Sequence, residues 1–189
     1  MIILASQSPR RAALLEQIGV DFRRVPADID EGVQPGEGAA DLVERIAIAK
    51  AQAVRALHPD LPVLGSDTVV VLGHRIFGKP RDRDDAIEML LALSGHTHEV
   101  LTGVAVVSDT TRYALSVSRV GFRELTAAEA AAYWATGEPA DKAGAYAIQG
   151  LAAAFIERID GSHSGIMGLP LFETANLLKQ VGVNTGLGV

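Results

Sequence analysis

The sequence predicts an α/β fold in which a mixed, twisted sheet is flanked by helices. Three observations predict it. Segments of helical period alternate with strand-like segments, which is the order of a layered α/β domain. Two of the strand pairs read as hairpins, so the sheet holds antiparallel as well as parallel neighbours. Apolar residues make up 48% and charged residues 21%, the balance of a globular chain.

Met1 to Ala5 reads as a short buried strand. Ser8 is a good N-cap and Pro9 a good first helical residue, so a helix opens there, with Leu14, Leu15 and Ile18 inward and Gly19 as its stop. Asp21 to Pro26 is a second strand, followed by the acidic stretch Asp28 to Glu31 and a Gly/Pro loop. A longer helix covers about Asp41 to Leu57, its stripe being Leu42, Val43, Ile46, Ala49, Ala53, Val54 and Leu57. Lys50 falls inside that stripe, while Glu44, Arg45, Gln52 and Arg55 take the other side. Leu61 to Gly65 and Thr68 to Leu72 are strand-like, with a hairpin turn at Gly73-His74. Asp82 to Leu93 is a helix with acidic residues in its first turn. Val100 to Val107 and Tyr113 to Phe122 form an antiparallel pair. Thr126 and Glu129 make a capping box for a helix stopped by Gly137. Ala152 to Ile159 reads as a strand and Pro170 to Val181 as a last helix.

At 189 residues the chain is expected to be one domain over 1–189, large enough to fold without a disulfide or structural metal. It has no cysteine, which removes thiolate zinc sites and cysteine nucleophiles together. The start lacks a basic region ahead of a long apolar stretch, and no segment reaches membrane-span length, so the cytoplasm is the expected compartment and no membrane partner is expected. A net charge of −6 argues against a general nucleic-acid binder, because phosphate neutralisation supplies most of that affinity. An acidic protein can still hold one small anion by concentrating cations locally.

Several segments could do so. Ser6 to Arg11 places a strand end, a turn and a helix start with Arg10 and Arg11 in its first turn, a setting suited to phosphate or to plain capping. Asp67 interrupts an apolar run, and an unpaired buried carboxylate is expensive, so it should be paired, metal-bound or at a strand mouth. Lys50 either snorkels to water or points an ammonium into an anion pocket. Asp28, Asp30 and Glu31 offer hard oxygens next to a loop, as magnesium requires, or are solvated. Gly73 to Pro80 nearly matches a P-loop, but Pro80 replaces the hydroxyl residue and the segment follows a hairpin turn, not a buried strand leading into a helix; Lys79 either reaches a phosphate as a point charge or is solvated. Gln149, after the glycine-containing stretch from Asp141, carries an amide able to pair with a base edge or simply to pack. His96 and His98 lack a third ligand nearby and read as surface residues; Tyr133 and Trp134 read as packing.

Taken in order, Ala5 to Arg11, Asp30-Glu31, Lys50-Ala51, Gly65 to Thr68, Gly78 to Pro80, Gly137 to Pro139, Asp141 to Tyr146 and Gly168 to Leu171 resemble the Maf family of nucleotide pyrophosphatases. The resemblance implies an elongated two-lobed cleft, related in architecture to the inosine-triphosphate pyrophosphatases. It also implies metal-assisted attack of water at the α-phosphorus of a nucleoside triphosphate. Asp67 would be the catalytic carboxylate; Ser6, Arg10, Arg11, Lys50 and Lys79 would contact phosphates; Glu31 and Asp67 would hold Mg2+ or Mn2+. Thr68 after the aspartate, and Tyr146 to Gly150, resemble the subgroup acting on dTTP and UTP, with Arg11, Thr68 and Gln149 as specificity residues. Ile48 and Ala49, where relatives often carry charge, and His163, where an aromatic is usual, depart from the pattern. The resemblance further implies a homodimer. Rival implications are a purine-preferring pyrophosphatase and a nucleotide-binding regulator of septum formation.

Overall fold

A computed structural model describes residues 1–186; the last three residues of the expected 1–189 domain lie outside it. The strands are β1 (Ile2–Leu4), β2 (Phe22–Arg24), β3 (Val63–Leu72), β4 (Arg75–Phe77), β5 (Thr97–Val107), β6 (Thr111–Phe122) and β7 (Ile156–Asp160). The helices are α1 (Pro9–Gln17), α2 (Ala39–Leu57), α3 (Arg83–Leu93), α4 (Ala127–Ala135), α5 (His163–Met167) and α6 (Leu171–Gln180). The fold is mixed α/β. Seven strands form one sheet in the order β2-β1-β3-β5-β6-β7, with β4 paired to β3. β1 runs parallel to both β2 and β3, whereas β3–β4 and β6–β7 are antiparallel. No described helix is long and apolar enough to cross a membrane.

Two compact units divide the chain. The first comprises Met1–Asp67, Thr102–Ser116 and the chain from Gly168 on; the second comprises Thr68–Leu101 and Val117–Met167. In the first, Ile3, Ala5, Ala51, Val54, Val63 and Val107 form a buried cluster that seats α2 on the parallel strands. In the second, α3 and α4 close over Val70, Phe77, Val100, Val120, Phe122 and Phe155.

The local signals are realised as chemistry. The Ser8 hydroxyl accepts from the Arg11 amide to open α1, and Gly19 leaves that helix at φ +68°. Thr126 and Glu129 exchange both bonds of the capping box. Gly73, at φ +60°, turns β3 into the antiparallel β4, so 73–80 begins in a hairpin rather than joining a strand straight to a helix as a P-loop does; α3 starts only at Arg83. Four expectations are corrected. β3 runs unbroken through Asp67 rather than as two short strands. The stretch expected as a strand from Ala152 is a 3₁₀ turn over Leu151–Phe155, and the strand begins only at Ile156, since a run of alanines has little strand preference. Leu57 is 73% exposed because α2 ends there, so its last turn has nothing left to face. His98 is not a surface residue but 1% exposed, on a strand covered on both faces.

Candidate active site

The first unit builds its site around Lys50. Ala47, Lys50, Ala51 and Val54 all lie on the buried face of α2, so an ammonium is set among apolar neighbours. β3 lies flush on that face because Gly65 has no side chain. A Cβ there would stand 2.2 Å from the Ala47 carbonyl oxygen and 2.9 Å from the Ala51 nitrogen. Gly103 on β5 does the same one turn earlier, where a Cβ would stand 2.6 Å from the Val43 carbonyl oxygen. This close approach brings Asp67, two residues beyond Gly65, within reach of Lys50. The Lys50 Nζ donates to Asp67 Oδ1 at 2.9 Å and to Glu31 Oε2 at 2.8 Å. Lys50 is 7% exposed and Asp67 8%, whereas the Glu31 side chain is 49% exposed. The cluster therefore has a dry floor and an open rim.

Folding alone gives no reason for this arrangement. Each ion taken from water loses several kcal/mol of solvation, roughly what the pairing returns, and apolar residues in place of the whole charged set would serve stability at least as well. Buried charges arranged without a stability benefit are what reacting sites contain.

Glu31 reaches the lysine because its loop is tied down. The Arg45 Nη2 donates to the Gly32 carbonyl at 2.8 Å, and Arg45 grips the Glu37 carboxylate through Nε at 2.5 Å and Nη2 at 2.8 Å. That guanidinium holds the Glu37 carboxyl down to about 2. The sequence reading had placed Arg45 on the outer side of α2. Only the opposite charges of Glu37 and Arg45 across the helix start hinted at the tie.

The opening segment converges on the same place. Ser6 is 8% exposed, and its hydroxyl accepts from the Ser8 amide at 3.1 Å and from Arg11 Nη1 at 3.3 Å. The Arg11 Nε donates to the Gly168 carbonyl at 2.7 Å, and the Ser66 hydroxyl donates to that same carbonyl at 3.0 Å. One oxygen thus links the α1 arginine to the strand residue just before Asp67. Burial draws the Arg11 guanidinium below its ordinary value, and the negative charge of Asp67 opposes that shift. Arg10 is half-buried on α1, and its like charge adds to the lowering at Arg11. Ser6, Arg11, Glu31, Lys50 and Asp67 are therefore gathered in one unit, while Ser66, Gly168 and Arg45 were missed in sequence.

Thr68, Lys79 and Gln149 belong to the second unit. Thr68 is half-buried on β3, Lys79 is exposed just past β4, and Gln149 is exposed between buried Ile148 and half-buried Gly150. Tyr146, three residues before Gln149, is anchored in the core. Its hydroxyl lies 2.9 Å from His98 Nε2, and its ring meets Phe122 edge-on with centroids 4.9 Å apart. Burial pushes the Tyr146 hydroxyl well above the ordinary phenol range and pulls His98 down to about 4.

Two carboxylates, Asp67 nearly buried and Glu31 open to solvent, bring hard oxygens together on one ammonium. Among the described residues no group of three or more His, Asp or Glu side chains is placed to cage a metal ion. A donor set of this kind suits magnesium or manganese shared with phosphate oxygens and water, and does not suit zinc.

An α/β sheet presenting a buried lysine–carboxylate pair beside an arginine-bearing helix start is the kind of arrangement that suits a protein handling phosphate-bearing ligands. The family model described as Maf-like protein matches residues 1–181, and the chain belongs to the Maf family. A dTTP/UTP pyrophosphatase of Cupriavidus pinatubonensis is 57% identical, with 95% of this chain and 96% of the relative covered. Another protein of that name, from Alkalilimnicola ehrlichii, is 54% identical over 97% of this chain and 94% of its own length. A third, from Hahella chejuensis, is 54% identical over 96% of this chain and 92% of its own. A solved dITP/XTP pyrophosphatase of Mycobacterium abscessus is a remote likeness, 16% identical with a TM-score of 0.43 over 66% of this chain and 74% of that one.

Proposed function

We propose that this protein hydrolyses dTTP and UTP to the nucleoside monophosphate and pyrophosphate, with water attacking the α-phosphorus. The observation that carries the reading is the Lys50 ammonium, sunk in an apolar helix face yet bonded to both Asp67 and Glu31. The names of relatives more than half identical over nearly the full chain supply the substrates.

The family resemblance suggests the roles, and the geometry of the first unit supports them. Ser6, Arg10 and Arg11 at the start of α1 receive phosphate oxygens, where helix-start amides and guanidinium forks favour an anion. Asp67, held by Lys50, accepts the proton of the attacking water. Lys50 keeps that carboxylate in place and, with Lys79, offsets negative charge gathering on the phosphates. Glu31 and Asp67 would hold Mg2+ or Mn2+, which when bound neutralises phosphate charge and lowers the pKa of a coordinated water. Arg11, Thr68 and Gln149 set the preference among bases, Gln149 because its amide both donates and accepts. Family resemblance supports a homodimer working in the cytoplasm.

The experiment is a panel of nucleoside triphosphates with Mg2+ or Mn2+, followed by release of monophosphate and pyrophosphate. Faster turnover of dTTP and UTP than of any purine nucleotide is expected, with loss of activity on chelation. Release of orthophosphate in place of pyrophosphate, or a purine-led profile, overturns the reading.

A further inference from the structure

The second unit contains a hydrogen-bond relay that the reading above does not use. Gln149 sits at the apex of a tight turn closed by the Gly150 amide, which donates to the Ala147 carbonyl at 3.0 Å. Both flanks of that turn hang from one pair of side chains. On the near flank the Ala147 amide donates to the Tyr133 hydroxyl at 3.0 Å. The hydroxyl in turn donates to Glu138 Oε1 at 2.6 Å, and on the far flank the Leu151 amide donates to Glu138 Oε2 at 3.1 Å. The carboxylate is pressed against the turn itself, since a Cβ on Gly150 would lie 2.3 Å from each of its oxygens.

The two anchors are themselves fixed. Tyr133 is 4% exposed on α4, and its ring meets Phe155 edge-on at 5.3 Å. Burial first, and the bond to Glu138 second, raise its hydroxyl well above the ordinary phenol range, so it keeps its proton and donates. Glu138 follows Gly137, which leaves α4 at φ +78°, and its amide donates to the Thr136 hydroxyl at 3.2 Å.

We propose that Tyr133 and Glu138 are positioning residues for base recognition: together they lock the turn 147–151 so that the Gln149 amide is held at one angle. The proposal rests on the reading that Gln149 meets the base. An exposed amide on an untethered turn would have to be ordered at each binding event, and the ordering would be subtracted from affinity. A turn gripped at both flanks is ordered beforehand. Neither residue belongs to the unit that holds Lys50 and Asp67, so the relay should act on recognition and leave the chemical step alone.

The test compares Tyr133→Phe, Glu138→Gln, Glu138→Ala and Gln149→Ala by KM and kcat on dTTP, UTP and GTP. Tyr133→Phe should raise KM for dTTP and UTP about ten-fold, the scale of a small misplacement, with kcat and the GTP parameters unchanged. Glu138→Gln, which keeps an acceptor oxygen, should restore part of what Glu138→Ala loses. Tyr133→Phe combined with Gln149→Ala should be no worse than Gln149→Ala alone, because both remove one interaction. An equal loss on all three nucleotides, or additive losses in the double variant, overturns the proposal. If Gln149→Ala shifts the pyrimidine to purine ratio and Tyr133→Phe does not, the proposal fails and the reading of Gln149 stands. If Gln149→Ala itself leaves that ratio unchanged, both fall, while dTTP turnover by the parent enzyme still decides the reaction separately.

Discussion

The two compact units hold their functional side chains by opposite means. In the first, charge is held mostly by charge: Lys50 bonds Asp67 and Glu31 and Arg45 bonds Glu37, while Arg11 is fixed through the neutral Gly168 carbonyl. In the second, Gln149 is neutral and exposed, and what is held is the backbone beneath it, through Tyr133 and Glu138. On the proposed reading, the difference teaches that an anion site needs a few strong, partly buried ions, whereas an amide that is to read a flat base needs a main chain that does not move. Damage to the ions of the first should appear in rate and stability; damage to the Gln149 turn of the second, in discrimination.

Four variants test that contrast, beginning with the largest effect. Asp67→Asn keeps an oxygen for Lys50 but cannot take a proton, so kcat should fall on the order of 10²- to 10⁴-fold while the far-ultraviolet dichroism is unchanged. Activity within a few-fold of the parent would remove Asp67 from the role of base. Lys50→Met leaves the Asp67 carboxylate buried without its cation, and urea unfolding should show a loss of about 4 kcal/mol. A variant as stable as the parent would mean that water already solvates the carboxylate.

His98 supplies the matching test in the second unit. Desolvation of the buried ring lowers its folded value from the ordinary 6.5 to about 4. Above pH 6.5 the ring is neutral in both states and contributes no pH dependence. As pH falls from 6.5 towards 4, the unfolded chain binds the proton first, so stability drops by up to about 3 kcal/mol and then levels off. Urea midpoints of the parent and of His98→Gln between pH 7 and pH 4 check this, and parallel profiles would assign the acid sensitivity elsewhere. The smallest effect is expected from Gly65→Ala. The added methyl meets main-chain atoms of α2, and the loss should be about 2 kcal/mol together with a lowered kcat, as Lys50 and Asp67 are pushed apart. Stability lost without any change in kcat would show that the ion pair does not depend on the close approach.

Much of the first unit was legible because its functional residues break the pattern around them. A lysine in an apolar stripe and an aspartate in an apolar strand are conspicuous, and both lie where their spacing placed them. Helix ends were legible for the same local reason, as at Ser8, Thr126 and Gly137, where one side chain or one φ decides the outcome. His98 was misread because β5 is buried on both faces, so the alternation that assigns a side is absent. The relay at Tyr133 was read only as packing, since its partners are backbone amides, which carry no sequence signature. The Ser66–Gly168 link was invisible for a different reason: it joins residues that are far apart in the chain through a carbonyl that every residue owns.

The bare contact of Gly65 with Ala47 and Ala51 has a further consequence. Where side groups mesh, a change on one surface can be absorbed by repacking the other. Here one polymer backbone rests directly on another, and bond lengths do not repack. The lysine's depth is gauged by covalent geometry, so altering its reach would require rebuilding the frame and could not be done by retouching the lining.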